Sequence, residues 1–160
     1  MGGVKEPPLG HGGAGDDSIT GGNGGDRLFG GIGRDKFNFS AISDSCASGR
    51  DTIYDFVGSE GDRIDLSKID ANSKTAGDRS FSFIETAAFR GKPGELRYEK
   101  ASSDTYIYAD VNGDRKADFV IHLDDPATLH KDFLSSKESS PARIEKPGSW
   151  QGFIKNGTAR

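Results

Sequence analysis

The chain has 160 residues, of which 32% are hydrophobic and 23 are glycine; that fits one domain with tails and excludes a large buried pocket. Twenty-one basic residues against 25 acidic ones leave a net charge of −4, which argues against a nucleic-acid binder held by phosphate contacts. Glycine at about twice its usual share rules out an all-α fold. The single Cys46 cannot form an internal disulfide, and the sequence has no Cys/His cluster of zinc-site spacing. No apolar run approaches the ~20 residues of a membrane-spanning helix. The opening MGGVKEPPLGHGG lacks the basic-then-apolar layout of a secretory signal, so export without a cleaved N-terminal signal is the expectation.

Residues 1–11 are rich in Gly and Pro without an apolar pattern and read as a linker. Three consecutive nonapeptides follow: GGAGDDSIT (12–20), GGNGGDRLF (21–29) and GGIGRDKFN (30–38). Each fits GGxGxDxUx at every fixed position, U being a large apolar residue, and this register marks a parallel β-roll. The next nine residues, FSAISDSCA (39–47), have lost the glycines but place Asp44 and Cys46 in the same frame, as a degenerate fourth repeat. Each unit predicts a six-residue turn and a three-residue strand, with left-handed backbone expected of the glycines at the first, second and fourth positions. Ile19, Leu28, Phe37 and Cys46 are expected to fill the interior of the roll, which spans 12–50.

So narrow a core offers little apolar area against the entropy of ordering the chain, and its turns stack Asp on Asp. A hard divalent cation with six to eight oxygen ligands answers that charge, so Ca²⁺ is the expected cofactor, with Mg²⁺ disfavoured by its octahedral geometry. Turns on one side of the roll are two repeats apart, which predicts two sites. One joins Asp17 and Asp35 with carbonyls of Gly13, Gly15, Gly31 and Gly33. The other joins Asp26, Gly22 and Gly24 with Asp44, with or without Asp51.

From Asp51 the apolar period changes to two. Ile53/Phe56, Ile64/Leu66, Phe81/Phe83, Leu96/Tyr98, Tyr106/Tyr108 and Phe119/Ile121/Leu123 predict short strands of an antiparallel β-structure. GELRYEK-ASSD-TYIYAD reads as a hairpin, and short helical pieces are expected near 67–70 and 87–89. Asp110, Asn112, Asp114 and Asp118 have the spacing of a cation loop, yet no Glu follows at the twelfth position, and Asn112-Gly113 equally suits a plain turn. Both readings stand, with the turn favoured. His122, opposite Phe119 and Ile121 on its strand, and His130 read as surface residues, and no nucleophile or acid–base constellation marks an enzyme.

In order along the chain, the GGxGxD repeats, DKFNFSAISDS, RDTIYDFVGSEGDRIDLSKIDA, FIETAAFRGKPGELRYE, TYIYADVNGDRKADFVIHL and KDFL resemble the C-terminal domain of the serralysin metalloproteases and related type I-secreted bacterial proteins. The resemblance covers 12–134. It implies an all-β fold, a short Ca²⁺-loaded parallel β-roll packed on an antiparallel β-sandwich (51–134), and a secreted, extracellular location reached through type I secretion machinery. It also implies that Asp44 and Asp51 close the final ion site. The family's catalytic half, marked by HExxH, is absent from the sequence. Residues 135–160 form a basic tail in which Lys137, Arg143, Lys146, Lys155 and Arg160 face only Glu138 and Glu145, unlike an export signal.

The resulting expectation is a non-catalytic calcium-binding module that folds after export. The alternative is a module gripping an acidic polysaccharide, as in the similar repeat modules of alginate epimerases, through a stripe of Arg27, Arg34 and Lys36. Solvated charge that keeps the roll soluble explains those three residues as well.

Overall fold

A computed structural model describes residues 9–136; the first eight residues and most of the basic tail lie outside that range. Short strands separated by glycine turns follow one another from the start: β1 (Leu9–Ala14), β2 (Ser18–Thr20), β3 (Arg27–Ile32), β4 (Lys36–Asn38), β5 (Asp51–Ile53) and β6 (Arg63–Asp65). Odd-numbered strands pair in parallel in one sheet (β1-β3-β5) and even-numbered strands in another (β2-β4-β6). The chain therefore crosses between sheets at every repeat, and two repeats make one coil.

Ile19, Leu28, Phe37, Ile53 and Ile64 fill the space between these sheets, each 5% exposed or less. Three of them are those the repeat frame predicts. Cys46 is not among them: it is half-exposed, lies outside the strands in an isolated bridge to Gly49, and has its thiol 3.3 Å from the Ser48 hydroxyl. In register with Leu28 stands Ile53 instead. With the repeat's glycines lost, residues 39–50 cannot form the tight turn again, and they make a longer excursion. Phe39 is buried edge-on against Phe119 at 5.4 Å, a 3₁₀ turn follows at Ile42–Asp44, and the Ser45 hydroxyl donates to the Val120 carbonyl. Parallel pairing thus does not stop at residue 50. It continues through β5 and β6, adding a coil beyond the degenerate repeat.

The remaining strands are β7 (Ser82–Phe83), β8 (Glu95–Lys100), β9 (Thr105–Asp110), β10 (Phe119–Leu123) and β11 (Leu134–Ser135). β8, β9 and β10 form the antiparallel region, with the β8–β9 hairpin in the predicted place. β10 pairs in parallel with β5, so the antiparallel strands extend the roll's own sheet, in the order β1-β3-β5-β10-β9-β8-β7. β11 adds to the other sheet beside β6. One continuous apolar core runs from Ile19 to Leu134 beneath both parts. The fold is all-β, a parallel roll joined to an antiparallel region.

The segments near 67–70 and 87–89 are not helical. Asp65 Oδ1 accepts the Ser67 N–H at 2.9 Å, and Arg97 Nε donates to the Ala87 carbonyl at 2.7 Å. Side chains thus satisfy backbone groups that a helix would pair internally. The 110–118 segment is held by its own carboxylates. Asp110 accepts the N–H groups of Asn112, Gly113 and Arg115, and Asp118 accepts that of Val111 and the Asn112 side-chain amide.

Candidate metal centre

The glycines of the repeats do two different jobs. At the second and fourth positions Gly13, Gly15, Gly22, Gly24, Gly31 and Gly33 have φ between 97° and 134°, a region costly to any side chain. The first-position glycines have ordinary angles, contrary to the expectation, and are needed for space. A β-carbon on Gly12 would sit 2.7 Å from Asp17 Oδ2, and one on Gly21 would sit 2.6 Å from Asp26 Oδ2. On Gly30 it would strike Asp35 Oδ2. Each turn therefore cradles its own sixth-position carboxylate.

Carboxylate oxygens of Asp35, Asp51 and Asp62 set the coil-to-coil register. Asp35 Oδ1 accepts the Asp17 N–H at 2.9 Å, Asp62 Oδ1 the Asp35 N–H at 2.9 Å, and Asp51 Oδ1 the Asp26 N–H at 2.8 Å. The other oxygen of Asp62 accepts the Val57 N–H at 2.8 Å, whereas those of Asp35 and Asp51 are left over. Asp17 Oδ2, Asp35 Oδ2, Asp51 Oδ2 and both oxygens of Asp26 are buried without a hydrogen-bond partner. Buried unpaired carboxylates are costly, and such groups pair or bind metal. Backbone carbonyls stack alongside, since β-carbons on Gly31 and Gly33 would strike the carbonyls of Gly13 and Gly15.

The turns sort into the two sides expected from the register. Asp17 and Asp35 share one side with Gly13, Gly15, Gly31 and Gly33. Asp26 and Asp51 share the other with Gly22 and Gly24. Asp44 is buried, and its carboxylate accepts the Ser40 and Ala41 N–H groups at 2.7 and 3.1 Å. Burial first, and then the charge of Asp44, push the Asp26 carboxyl above its ordinary range. Burial pushes Asp51 up to about 8, with the neighbouring charges of Asp26 and Asp44 adding to it and the Asp26 N–H opposing. The charge of Asp44 thus acts on both Asp26 and Asp51.

Asp62 and Asp55 escape the reading from repeats. Asp62 precedes Ile64 as Asp35 precedes Phe37, and burial raises its carboxyl too. Its signal is the tetrapeptide GDRI at 61–64, which echoes GDRL at 25–28. Asp55 accepts the Gly30 and Gly31 N–H groups at 2.7 and 2.9 Å. The basic stripe is not assembled. Arg27 lies in the sheet of β1, β3 and β5, with its guanidinium carbon 5.7 Å from the centre of the Tyr54 ring, whereas Lys36 lies in the opposite sheet beside Asp65 at 3.5 Å. Arg34, in the turn, pairs with Asp16 at 3.0 Å. Successive repeats alternate sheets, so equal positions in neighbouring repeats face opposite ways.

Residues 9–135 match the family described as Peptidase M10 serralysin C terminal. The chain belongs to that family. The solution structure of the AlgE6R3 subunit from the Azotobacter vinelandii mannuronan C5-epimerase is 26% identical, with a TM-score of 0.53 over 94% of this chain and 80% of that one. The AlgE6R2 subunit of the same epimerase is 23% identical, with a TM-score of 0.42 over 85% of this chain and 96% of that one. Comparison with curated proteins gives no match. The serralysin C-terminal family implies calcium binding, and the all-oxygen donor set with its leftover carboxylate oxygens fits that ion. No helix among the described residues is long and apolar enough to cross a membrane.

Proposed function

We propose that this chain is a non-catalytic calcium-binding module that passes through type I secretion machinery unfolded, folds outside the cell on binding Ca²⁺, and supports the export and folding of a secreted protein. The observation that carries the reading is the set of buried, unpartnered oxygens on Asp17, Asp26, Asp35 and Asp51. Calcium would be held by Asp17, Asp35 and the carbonyls of Gly13, Gly15, Gly31 and Gly33 on one side, and by Asp26, Asp44, Asp51, Gly22 and Gly24 on the other. Bound there, it supplies the positive charge that lets acidic coils stack. Because the turns hold these oxygens together only in the folded chain, ion-binding free energy becomes folding free energy. A cytosol poor in Ca²⁺ then keeps the chain exportable, and a calcium-rich exterior folds it.

Circular dichroism in chelator and in millimolar Ca²⁺ tests this. A gain of β-signal and cooperative melting with Ca²⁺, reproduced poorly by Mg²⁺, is the expected result; identical spectra overturn it.

Likeness to the epimerase subunit supports a second reading, binding of an acidic polysaccharide. The stripe of Arg27, Arg34 and Lys36 gives way to a different surface, the outer face of the seven-stranded sheet, where Arg27 lies over Tyr54 and Arg50 over Tyr106. Calorimetry with alginate at low salt, where exposed charges are least screened, is expected to show heat that Arg27→Ala and Arg50→Ala diminish. No heat from the folded protein removes this reading and leaves the first intact.

A further inference from the structure

The outer face of the seven-stranded sheet carries metal-donor side chains that the roll does not use. His122 in β10 and Asp124 just past it are two residues apart, so both stand on the face turned away from Phe119, Ile121 and Leu123. Asp104 reaches them from the turn before β9. One donor atom from each of Asp104, His122 and Asp124 lies within 4.8 Å of the other two. His122 Nε2 is 2.8 Å from Asp104 Oδ1.

The imidazole is held from outside this group. Thr52, on β5, places Oγ1 3.2 Å from His122 Nδ1, and the Tyr106 ring stacks on the imidazole at 4.7 Å and 18°. With the Nδ1 proton donated to the Thr52 hydroxyl, the Nε2 lone pair is directed at the carboxylates. A hydrogen bond from the second ring nitrogen orients histidine ligands in metal sites, and here the Thr52 hydroxyl is its partner. Without a metal, the other tautomer serves, with Nε2–H donating to Asp104 and the Thr52 hydroxyl donating to Nδ1; a metal ion would take the place of the Nε2 proton.

We propose that Asp104, His122 and Asp124 bind a borderline divalent transition ion, Zn²⁺, separately from the oxygen-only sites of the roll. One nitrogen and two carboxylates suit zinc, whereas Ca²⁺ takes oxygen ligands. The ion displaces the proton shared by His122 and Asp104, and water completes its coordination. It ties the 101–104 turn to the end of β10.

The test is titration of the full chain, saturated with Ca²⁺, with zinc chloride by calorimetry, together with Cu²⁺ as a spectroscopic stand-in. The expected result is one zinc ion whose affinity falls at least about tenfold in His122→Ala and in Asp124→Asn. The Cu²⁺ electron paramagnetic resonance spectrum should show coupling to one imidazole nitrogen that His122→Ala abolishes. Asp124 is exposed, so Asp124→Asn and the Cu²⁺ spectrum of the unaltered chain decide the matter if His122→Ala fails to fold. Zinc binding unchanged in Asp124→Asn, with no nitrogen coupling, overturns the proposal. So does the absence of zinc uptake below about 1 mM, an affinity of about −4 kcal/mol.

Discussion

A β-carbon on Gly21 would sit 2.6 Å from Asp26 Oδ2 and 2.9 Å from Asp51 Oδ2. Gly21→Ala is therefore expected to displace two carboxylates at once and to weaken the ion on that side by about tenfold, since these sites depend on ligand placement. Calcium titration should then resolve two transitions, only one of them shifted. Asp44→Ala removes a charge from the same side and should lower the affinity there by about tenfold while the Asp17/Asp35 ion is unchanged. Crystals of Asp44→Ala with both ions at full occupancy would show that Asp44 is no part of the site. Asp62 acts through Asp35. Asp62→Ala leaves the buried Asp35 N–H without its acceptor, which costs about 1–3 kcal/mol, visible as a lower denaturation midpoint in excess Ca²⁺. Asp17, Asp26 and Asp35 were legible as donors because their frame repeats every nine residues. Asp62 stands in the same frame, 27 residues beyond Asp35, and was hidden because the units between them have lost the repeat's glycines.

Among the strands, β5 carries the junction. It pairs with β3 on one side and β10 on the other, so the roll and the antiparallel region meet along three residues. Ser45 fastens this junction: its hydroxyl donates to the Val120 carbonyl and accepts the Asp51 N–H at 2.7 Å. Ser45→Ala is expected to cost about 1–3 kcal/mol by leaving buried backbone groups unpaired. Because Asp51 begins β5, the same change should weaken the Asp26/Asp51 ion. Ser45→Thr keeps a hydroxyl, and Ser45→Val has the same bulk as that variant without one. If the hydrogen bonds are what matters, denaturation should find the Thr variant close to the unaltered chain and the Val variant as weak as Ala. Alternation of apolar residues marked β8, β9 and β10 in the sequence, since hairpin strands pair with close neighbours. That β5 joins β10 was not legible, because nothing local encodes a pairing between strands so far apart.

For the whole molecule, acidity and calcium act in opposition. Burial raises the carboxyls of Asp26, Asp51 and Asp62 above their unfolded values, Asp51 to about 8. Between about pH 4 and 8 the metal-free fold then binds more protons than the unfolded chain, so its stability falls as pH rises through that window. Without calcium, the protein should keep more β-signal at pH 5 than at pH 8. With calcium the order reverses, because the ion needs ionised carboxylates and must displace their protons. Calorimetry of Ca²⁺ binding at pH 7 in two buffers of different ionisation enthalpy should therefore report proton release; equal heats in both would show that these carboxyls are already ionised.

Sequence alone determined the repeat, its turn chemistry, the oxygen character of its sites and the pairing of Asp17 with Asp35, because each depends on contacts that recur at a fixed short spacing. Tertiary structure decided the rest. It replaced Cys46 with Ile53 in the interior, recruited Asp62 into the carboxylate ladder, and brought Thr52, Asp104 and His122 together. Those outcomes depend on which strands become neighbours once the glycine repeats end, and only burial of one shared core beneath both sheets selects that arrangement.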